Sequence, residues 1–289
     1  MSEPELSVII PCRNVAATLG AQLDALADQQ ASFPWEVVLV DNGSTDNTVG
    51  VAQGFSTRLR LRIVSCPAHT GNPANAARNA GIRAAAADLI ALCDGDDVVA
   101  EGWVEALGTA LREHPCVTGP VDVDLLNPPE LADMRGREMG TRMPRFGNAF
   151  PFPNGCNMGI RRAVLAGVGW FDEHTPCLDD QELGMRLHLG GVPLHFVPEA
   201  VVHYRYRSGV GAIWRQGFFY GSSRVPTYLA AKRAGLSVPG RLAGWRSWAW
   251  LIVHLPQLRT PTGRLKYIWV LASRLGQVRG SVRWRTLFL

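Results

Sequence analysis

Short apolar runs alternate with stretches of helical periodicity along the first hundred residues. Leu6–Ile10, apolar except for Ser7, has the length and composition of a buried strand. Between Val15 and Ala27, Leu19, Leu23 and Leu26 recur at helical spacing. Val37–Val40, Leu61–Val64 and Leu89–Leu92 repeat the strand pattern. Between them, one helix runs from a Ser44 or Thr45 cap to about Gln53, and an alanine-rich one covers Pro73–Ala87. Such strand–helix–strand units predict an α/β protein with a mostly parallel sheet and right-handed crossovers. A strand near Val117–Val121 then leads into a long loop. Leu178–Leu189 reads as a helix closed by Gly190-Gly191, followed by short strands at Val192–Val197 and Ala200–His203. After Tyr206 the pattern turns helical, over Gly209–Tyr220, Val225–Ala234, Arg241–Leu255 and Arg264–Val278. The expected division is a body of residues 1–207 and a C-terminal extension of residues 208–289.

Composition narrows the classes. Hydrophobic residues make up 47% of the 289 and charged residues 19%, enough for a core and against disorder. No run of ~18 apolar residues predicts a membrane span. The acidic start, Met1-Ser2-Glu3-Pro4-Glu5, does not read as a secretory signal. The six cysteines (Cys12, Cys66, Cys93, Cys116, Cys156 and Cys177) are isolated, which points to a reducing cytoplasm rather than a disulfide or zinc scaffold. The charge is unevenly placed. Residues 1–200 set 14 Lys and Arg against all 25 Asp and Glu, a net of −11, whereas residues 201–289 hold 15 basic residues and no acid. Six of the nine Trp also lie in that last stretch. An acidic body with a basic, Trp-rich tail suggests a partner with an anionic surface.

In a parallel sheet, ligands bind beyond the carboxyl ends of the strands. Three polar clusters follow strands here: Pro11-Cys12-Arg13-Asn14, Asp41-Asn42-Gly43-Ser44 and Asp94-Gly95-Asp96-Asp97. Helix N-termini on that rim favour a phosphate. Asp94 and Asp96, two residues apart, can converge on one hard cation, Mg²⁺ or Mn²⁺, that keeps sites for phosphate oxygens. The plainer reading is an acidic turn. The run Asp94–Val99 is also similar to the first motif of haloacid-dehalogenase-type phosphatases, in which the first Asp is a nucleophile. That family needs a Lys beside the aspartyl phosphate and opens its domain with the motif. Here the only Lys are Lys232 and Lys266, and three strands precede Asp94.

Taken in order, six motifs resemble family 2 glycosyltransferases of the GT-A fold. They are Ser7–Asn14, Val40–Asp46, Ala77–Gly81, Asp94–Asp97, Asn154–Arg162 and Asp179–Arg186, with an echo at Trp214–Gly221. The resemblance covers about residues 5–207. It implies a Rossmann-like central sheet with a C-terminal helical extension, and inverting transfer of a sugar from a nucleoside diphosphate sugar to an acceptor hydroxyl. It implies that Pro11, Arg13 and Asn14 line the nucleotide pocket, that Asp41 holds the base, and that Asn42 and Gly43 shape the turn beside it. Arg78 would lie near the diphosphate, Asp94 and Gly95 near the ribose or metal, and Asp96 on the metal. Asp180 would be the catalytic base, with Asp179 as the alternative. Asn154, Asn157, Asp179 and Glu182 would border the donor sugar and acceptor. His203 is either a further metal ligand, as in several relatives, or structural.

Other residues carry plainer readings beside these. Glu182 and Arg186 have i,i+4 spacing and suit an ion pair. Asn154 and Asn157 suit side chains that tie down a glycine turn. Arg205, Arg207 and Arg215 suit either a diphosphate clamp or a solvated basic face. Trp245, Trp248 and Ile252 share a helical face near Arg241, which fits an anionic membrane surface or packing on the body or on a second subunit in a homo-oligomer. No nucleic-acid motif is present. The expected protein is a cytoplasmic enzyme on the inner face of the membrane, using Mn²⁺ or Mg²⁺. Its acceptor would be a saccharide, lipid-linked or small-molecule hydroxyl. A non-catalytic scaffold of the same fold is the rival reading.

Overall fold

The structure is a computed structural model that describes residues 2–66, 71–135, 140–240 and 244–288. The first half alternates as expected: β1 (Leu6–Cys12), α1 (Ala16–Ala27), β2 (Trp35–Asp41), α2 (Thr48–Gln53), β3 (Leu61–Ser65), α3 (Pro73–Ala84), β4 (Leu89–Cys93), β5 (Val98–Val99) and α4 (Trp103–Glu113). Next come β6 (Cys116–Thr118), β7 (Val121–Asp122), α5 (Pro129–Ala132), β8 (Arg145–Phe146), β9 (Phe150–Pro151), β10 (Asn157–Arg161) and α6 (Arg162–Gly167). The chain continues through α7 (Asp179–Leu189), β11 (Leu194–Phe196), β12 (Val202–His203), α8 (Val210–Arg233), α9 (Trp245–Val253), a 3₁₀ turn at Leu255–Arg259 and α10 (Pro261–Arg283).

Seven strands form the central sheet in the order β11-β6-β10-β4-β1-β2-β3, with only β10 antiparallel to its neighbours. Its apolar runs at Val8–Ile10, Val37–Val40 and Leu89–Cys93 are explained by burial of both faces. Val8, Ile10, Val37 and Leu39 enter one core, while Ile9, Val38 and Val40 enter the other, alternating with the period of the strand. Register sets Cys12 opposite Asp41, so β1 and β2 end level. A small sheet, β5-β12-β7, extends the rim just past β4.

Several expectations shift. Neither Ser44 nor Thr45 caps α2, which starts at Thr48. The Ser44 hydroxyl accepts instead from the Asn14 N–H (3.0 Å), and the Thr45 N–H donates to Asn14 Oδ1 (2.7 Å). These residues join two loops rather than begin a helix. The strand expected over Val117–Val121 divides into β6 and β7 at Gly119-Pro120. The first two of the four helices expected after Tyr206 are one helix of 24 residues, α8, which runs through Pro226. Proline leaves the Ser222 carbonyl without its intrahelical donor. That carbonyl faces Gly280 of α10, where only a hydrogen fits in place of Cβ. The expected helix from Arg241 begins at Trp245, and Arg241 lies outside the described residues.

The C-terminal helices pack onto the body. Gly217 of α8 packs against the Trp269 carbonyl of α10, Gly221 against the Ser273 carbonyl, and Gly276 of α10 against the Phe218 carbonyl. Val225, Tyr228 and Phe288 join Phe146, Phe150 and Met185 in one apolar cluster. Among the described residues, no helix is long and apolar enough to cross a membrane.

Candidate active site

The nucleotide side of the rim is built from two loops locked together. Asn14 adopts a left-handed backbone (φ 54°), which asparagine tolerates better than most residues. It is held there by the Ser44 and Thr45 bonds. Asp46 accepts from the Ala16 N–H at the start of α1 and from the Thr48 N–H at the start of α2, both at 3.0 Å. One carboxylate thus serves two orphan helix N-termini. Asp41 is half-buried at the end of β2, and its Oδ1 accepts from the Ser44 N–H (3.1 Å). Arg13, Asn14 and Gly43 are exposed on this rim, with Pro11 half-buried beside them. Asn42 faces inward instead, donating through Nδ2 to the Pro73 carbonyl (2.9 Å).

Beyond β4 the chain turns through Asp94-Gly95-Asp96-Asp97. Gly95 lies directly on the end of β1, where a Cβ would come within 2.8 Å of Cys12 Sγ. That close approach holds the acids at the rim. Oxygen atoms of Asp94, Asp96 and Asp97 lie within 4.8 Å of one another. Asp97 is fully buried; its Oδ1 accepts from the Arg205 N–H (2.8 Å) and its Oδ2 has no partner. Burial pushes Asp94 up to about 6, against the pull of Arg78, and burial also raises Asp96 and Asp97. An all-oxygen set of crowded carboxylates with an unpartnered oxygen fits Mg²⁺ or Mn²⁺. His203 is not part of this group: its Nδ1 is 2.6 Å from Asp122 Oδ2 on the adjacent strand β7.

Arg78 links the rim to the opposite wall. Its guanidinium pairs with Asp179, donates to Asn75 Oδ1 (3.1 Å) and lies 3.7 Å from Asp94 Oδ1. Burial alone would lower its pKa, but Asp179, Asp94 and Asp180 outweigh burial and hold it above its ordinary range. Asp180, next in the chain, stands in the first turn of α7. Burial, and then the neighbouring Asp179, push its carboxyl up to about 7. Gly155 stands against both groups: a Cβ there would be 3.5 Å from Arg78 Nη2 and 3.7 Å from Asp180 Cβ.

The remaining candidates are held within the protein. Asn157 is fully buried; it accepts from Trp103 Nε1 (2.8 Å) and donates to the Pro120 and Ala200 carbonyls (2.7 Å each). Asn154 donates to the Gly119 carbonyl (3.0 Å). Together they fasten the turn that carries Gly155. Glu182 takes the Arg186 guanidinium bidentately, at 2.6 Å to each oxygen. Arg205 Nε donates to the Asp96 carbonyl (3.0 Å), so it braces the acid turn, whereas Arg207 is exposed and opposes the charges of Asp94 and Asp96. Sequence reasoning gave no role to Asp46, Asp97 or Asp122. The third acid in the run Asp94–Asp97 was a visible signal for Asp97; nothing local marks the other two.

A mostly parallel sheet with acids gathered at its carboxyl rim, and a second acid pair joined to them by an arginine, has the architecture of the GT-A class of folds. The chain matches the family description "Glycosyl transferase family 2" over residues 7–169 and "Glycosyl transferase family group 2" over residues 89–278. It belongs to glycosyl transferase family 2. It is 27% identical over 279 residues to the pre-mycofactocin glycosyltransferase of Mycobacterium tuberculosis, covering 91% of this chain and 55% of that protein. It is 32% identical over 225 residues to the validoxylamine A glucosyltransferase of Streptomyces hygroscopicus subsp. jinggangensis, covering 66% and 53%. The chain thus spans about half the length of these two curated relatives. Among solved structures, it superposes on the mannosyltransferase PcManGT from Pyrobaculum calidifontis, in complex with GDP-Man and Mn²⁺. The TM-score is 0.65 at 19% identity, over 96% of this chain and 88% of that one. A second likeness is to residues 1–349 of S. aureus TarS in complex with UDP-GlcNAc, with TM-score 0.53, 16% identity and coverage of 98% and 92%.

Proposed function

We propose that the protein is an inverting, metal-dependent glycosyltransferase of the hexosyltransferase class. It takes a sugar from a nucleoside diphosphate sugar, a UDP-sugar by first expectation, to an acceptor hydroxyl in a saccharide or glycolipid. The observation that carries this reading is Arg78, which ties Asp94 on the nucleotide side to Asp179, neighbour of Asp180, across the cleft. Asp41 accepts from the base, and the exposed Arg13 and Arg207 face the anionic donor. Asp94 and Asp96 would hold Mn²⁺ or Mg²⁺, which when bound supplies positive charge to the diphosphate leaving group. Asp180 takes the acceptor proton as the hydroxyl oxygen bonds to the anomeric carbon. The bond from that carbon to the diphosphate breaks, the nucleoside diphosphate leaves with the electron pair, and the configuration inverts. A small-molecule acceptor is the second reading, favoured by the likeness to validoxylamine A glucosyltransferase.

Thermal shift with UDP, GDP and dTDP, each with and without Mn²⁺, tests the donor side, because ligands of the folded state raise its stability. One diphosphate is expected to raise Tm only with Mn²⁺, and Asp96→Asn is expected to abolish that dependence. A metal titration unchanged in D96N would remove Asp96 from the site. Failure of every nucleotide to bind would favour the scaffold reading.

We also place the tail on an anionic lipid surface. Trp245, Ile252 and Val253 of α9 are 60%, 73% and 70% exposed, with Arg246 and Arg259 exposed near them and no acid after residue 200. This is the composition of an interfacial helix. Because α10 is bolted to α8, point substitutions test this better than truncation. Wild-type protein should co-sediment with phosphatidylserine vesicles and I252E/V253E should stay in solution. Equal sedimentation of both proteins would reject the lipid contact.

A further inference from the structure

A cleft of about 760 Å³ opens between α8, the last turns of α10 and the loops at 71–73 and 174–177. Its wall carries Arg215, Arg279 and Arg283, interleaved with rings including Trp214, Phe218 and Trp284, and no acid lines it. All three arginines are exposed, and none joins the ion pairs found among the described residues. Arg279 stacks on Phe218, its guanidinium carbon 5.6 Å from the ring centroid. Three unpaired guanidiniums on one concave wall make a field of one sign, which low-dielectric walls intensify.

Position ties this cleft to the site. Pro73, on its rim, begins the helix that carries Arg78, and Cys177, also on its rim, lies three residues before Asp180. The two loops that frame the cleft therefore lead into the arginine and the acid of the proposed chemistry. The wall contrasts with the nucleotide rim, where acids dominate. A neutral saccharide would use the rings but not the three positive charges. A phosphate uses the charges, because a guanidinium presents parallel N–H donors to its oxygens.

We propose that this cleft seats the acceptor, and that the acceptor carries a phosphate ester beside its apolar or polyol body. The inference rests on the transferase reading and adds the acceptor's chemistry to it. The ester's source is either a lipid phosphate or a phosphorylated polyol; both present the same group to the arginines.

The test uses the full chain and four probes: farnesyl phosphate, farnesol, glycerol 3-phosphate and glycerol, titrated by calorimetry. At least one phosphate should bind ten-fold or more tighter than its alcohol, a difference of about 1.4 kcal/mol, as expected for charge-assisted hydrogen bonds. R279Q/R283Q should lose that preference while keeping the wild-type Tm, since both positions are exposed. Tighter binding of farnesyl phosphate identifies a lipid source, and tighter binding of glycerol 3-phosphate a polyol source. Equal affinity for phosphates and alcohols overturns the proposal, as does an unchanged phosphate preference in R279Q/R283Q. Release of nucleoside diphosphate from the donor by wild-type protein is measured separately. Its absence strikes the transferase reading, whereas loss of phosphate preference strikes only the acceptor assignment.

Discussion

Asp180→Asn is expected to lower the transfer rate by about 10²–10⁴-fold, the range that a positioned general base contributes, while nucleotide binding stays within a few-fold of wild type. Amide and carboxylate have nearly the same shape, so the substitution removes the proton acceptor and little else. The pH profile is the sharper readout. Burial and Asp179 push Asp180 up to about 7, so the wild-type rate should rise as pH increases through that value and fall about ten-fold per unit below it. Stability should move the opposite way. A carboxyl raised above its ordinary value stabilises the fold when protonated, and that contribution disappears as pH rises through about 7. Asp180→Asn should therefore raise Tm at pH 8 and leave it nearly unchanged at pH 4. Normal transfer by the Asn variant would pass the role to Asp179 or to another base.

Arg78→Leu is expected to destabilise the protein by about 3 kcal/mol and to abolish donor turnover. Arg78 is only 6% exposed and neutralises two acids at once, Asp179 and Asp94. Removing one member of a buried pair leaves the other charges uncompensated, at a cost of about 3–5 kcal/mol. The double variant R78L/D179L separates structure from chemistry. Replacing both partners with apolar groups is often close to neutral, so it should recover much of the denaturant midpoint without recovering turnover. A single variant as stable as wild type would show that the guanidinium does not hold these walls together. Turnover restored in the double variant would mean that Arg78 serves only the fold.

Much of this was legible in the chain. The alternating strand and helix patterns located the parallel sheet, because strands buried on both faces are mostly apolar and the crossover helices show their own period. The rim clusters at Pro11–Asn14, Asp41–Ser44 and Asp94–Asp97 were readable because strand ends in such a sheet gather on one side. Helix boundaries failed where side chains answered distant partners. Ser44 and Thr45 look like caps, yet both bond to Asn14, thirty-odd residues earlier. The pattern breaks between Tyr220 and Val225, yet α8 runs on through Pro226, and α10 offers a glycine where the freed Ser222 carbonyl emerges.

The site divides in the same way. Local pattern determined which side chains could do chemistry: the acid run after β4, the acid pair opening α7, and the basic, acid-free tail. Only the tertiary structure decided what each one faces. It turned Asn42 and Asn157 inward, gave Glu182 to Arg186 and His203 to Asp122, and set Arg78 between acids 85 residues apart in the chain, Asp94 and Asp179. The physical reason is that hydrogen bonds and ion pairs are satisfied by whatever stands within a few ångströms in space, and sequence spacing reports that neighbourhood only within a single helix or strand.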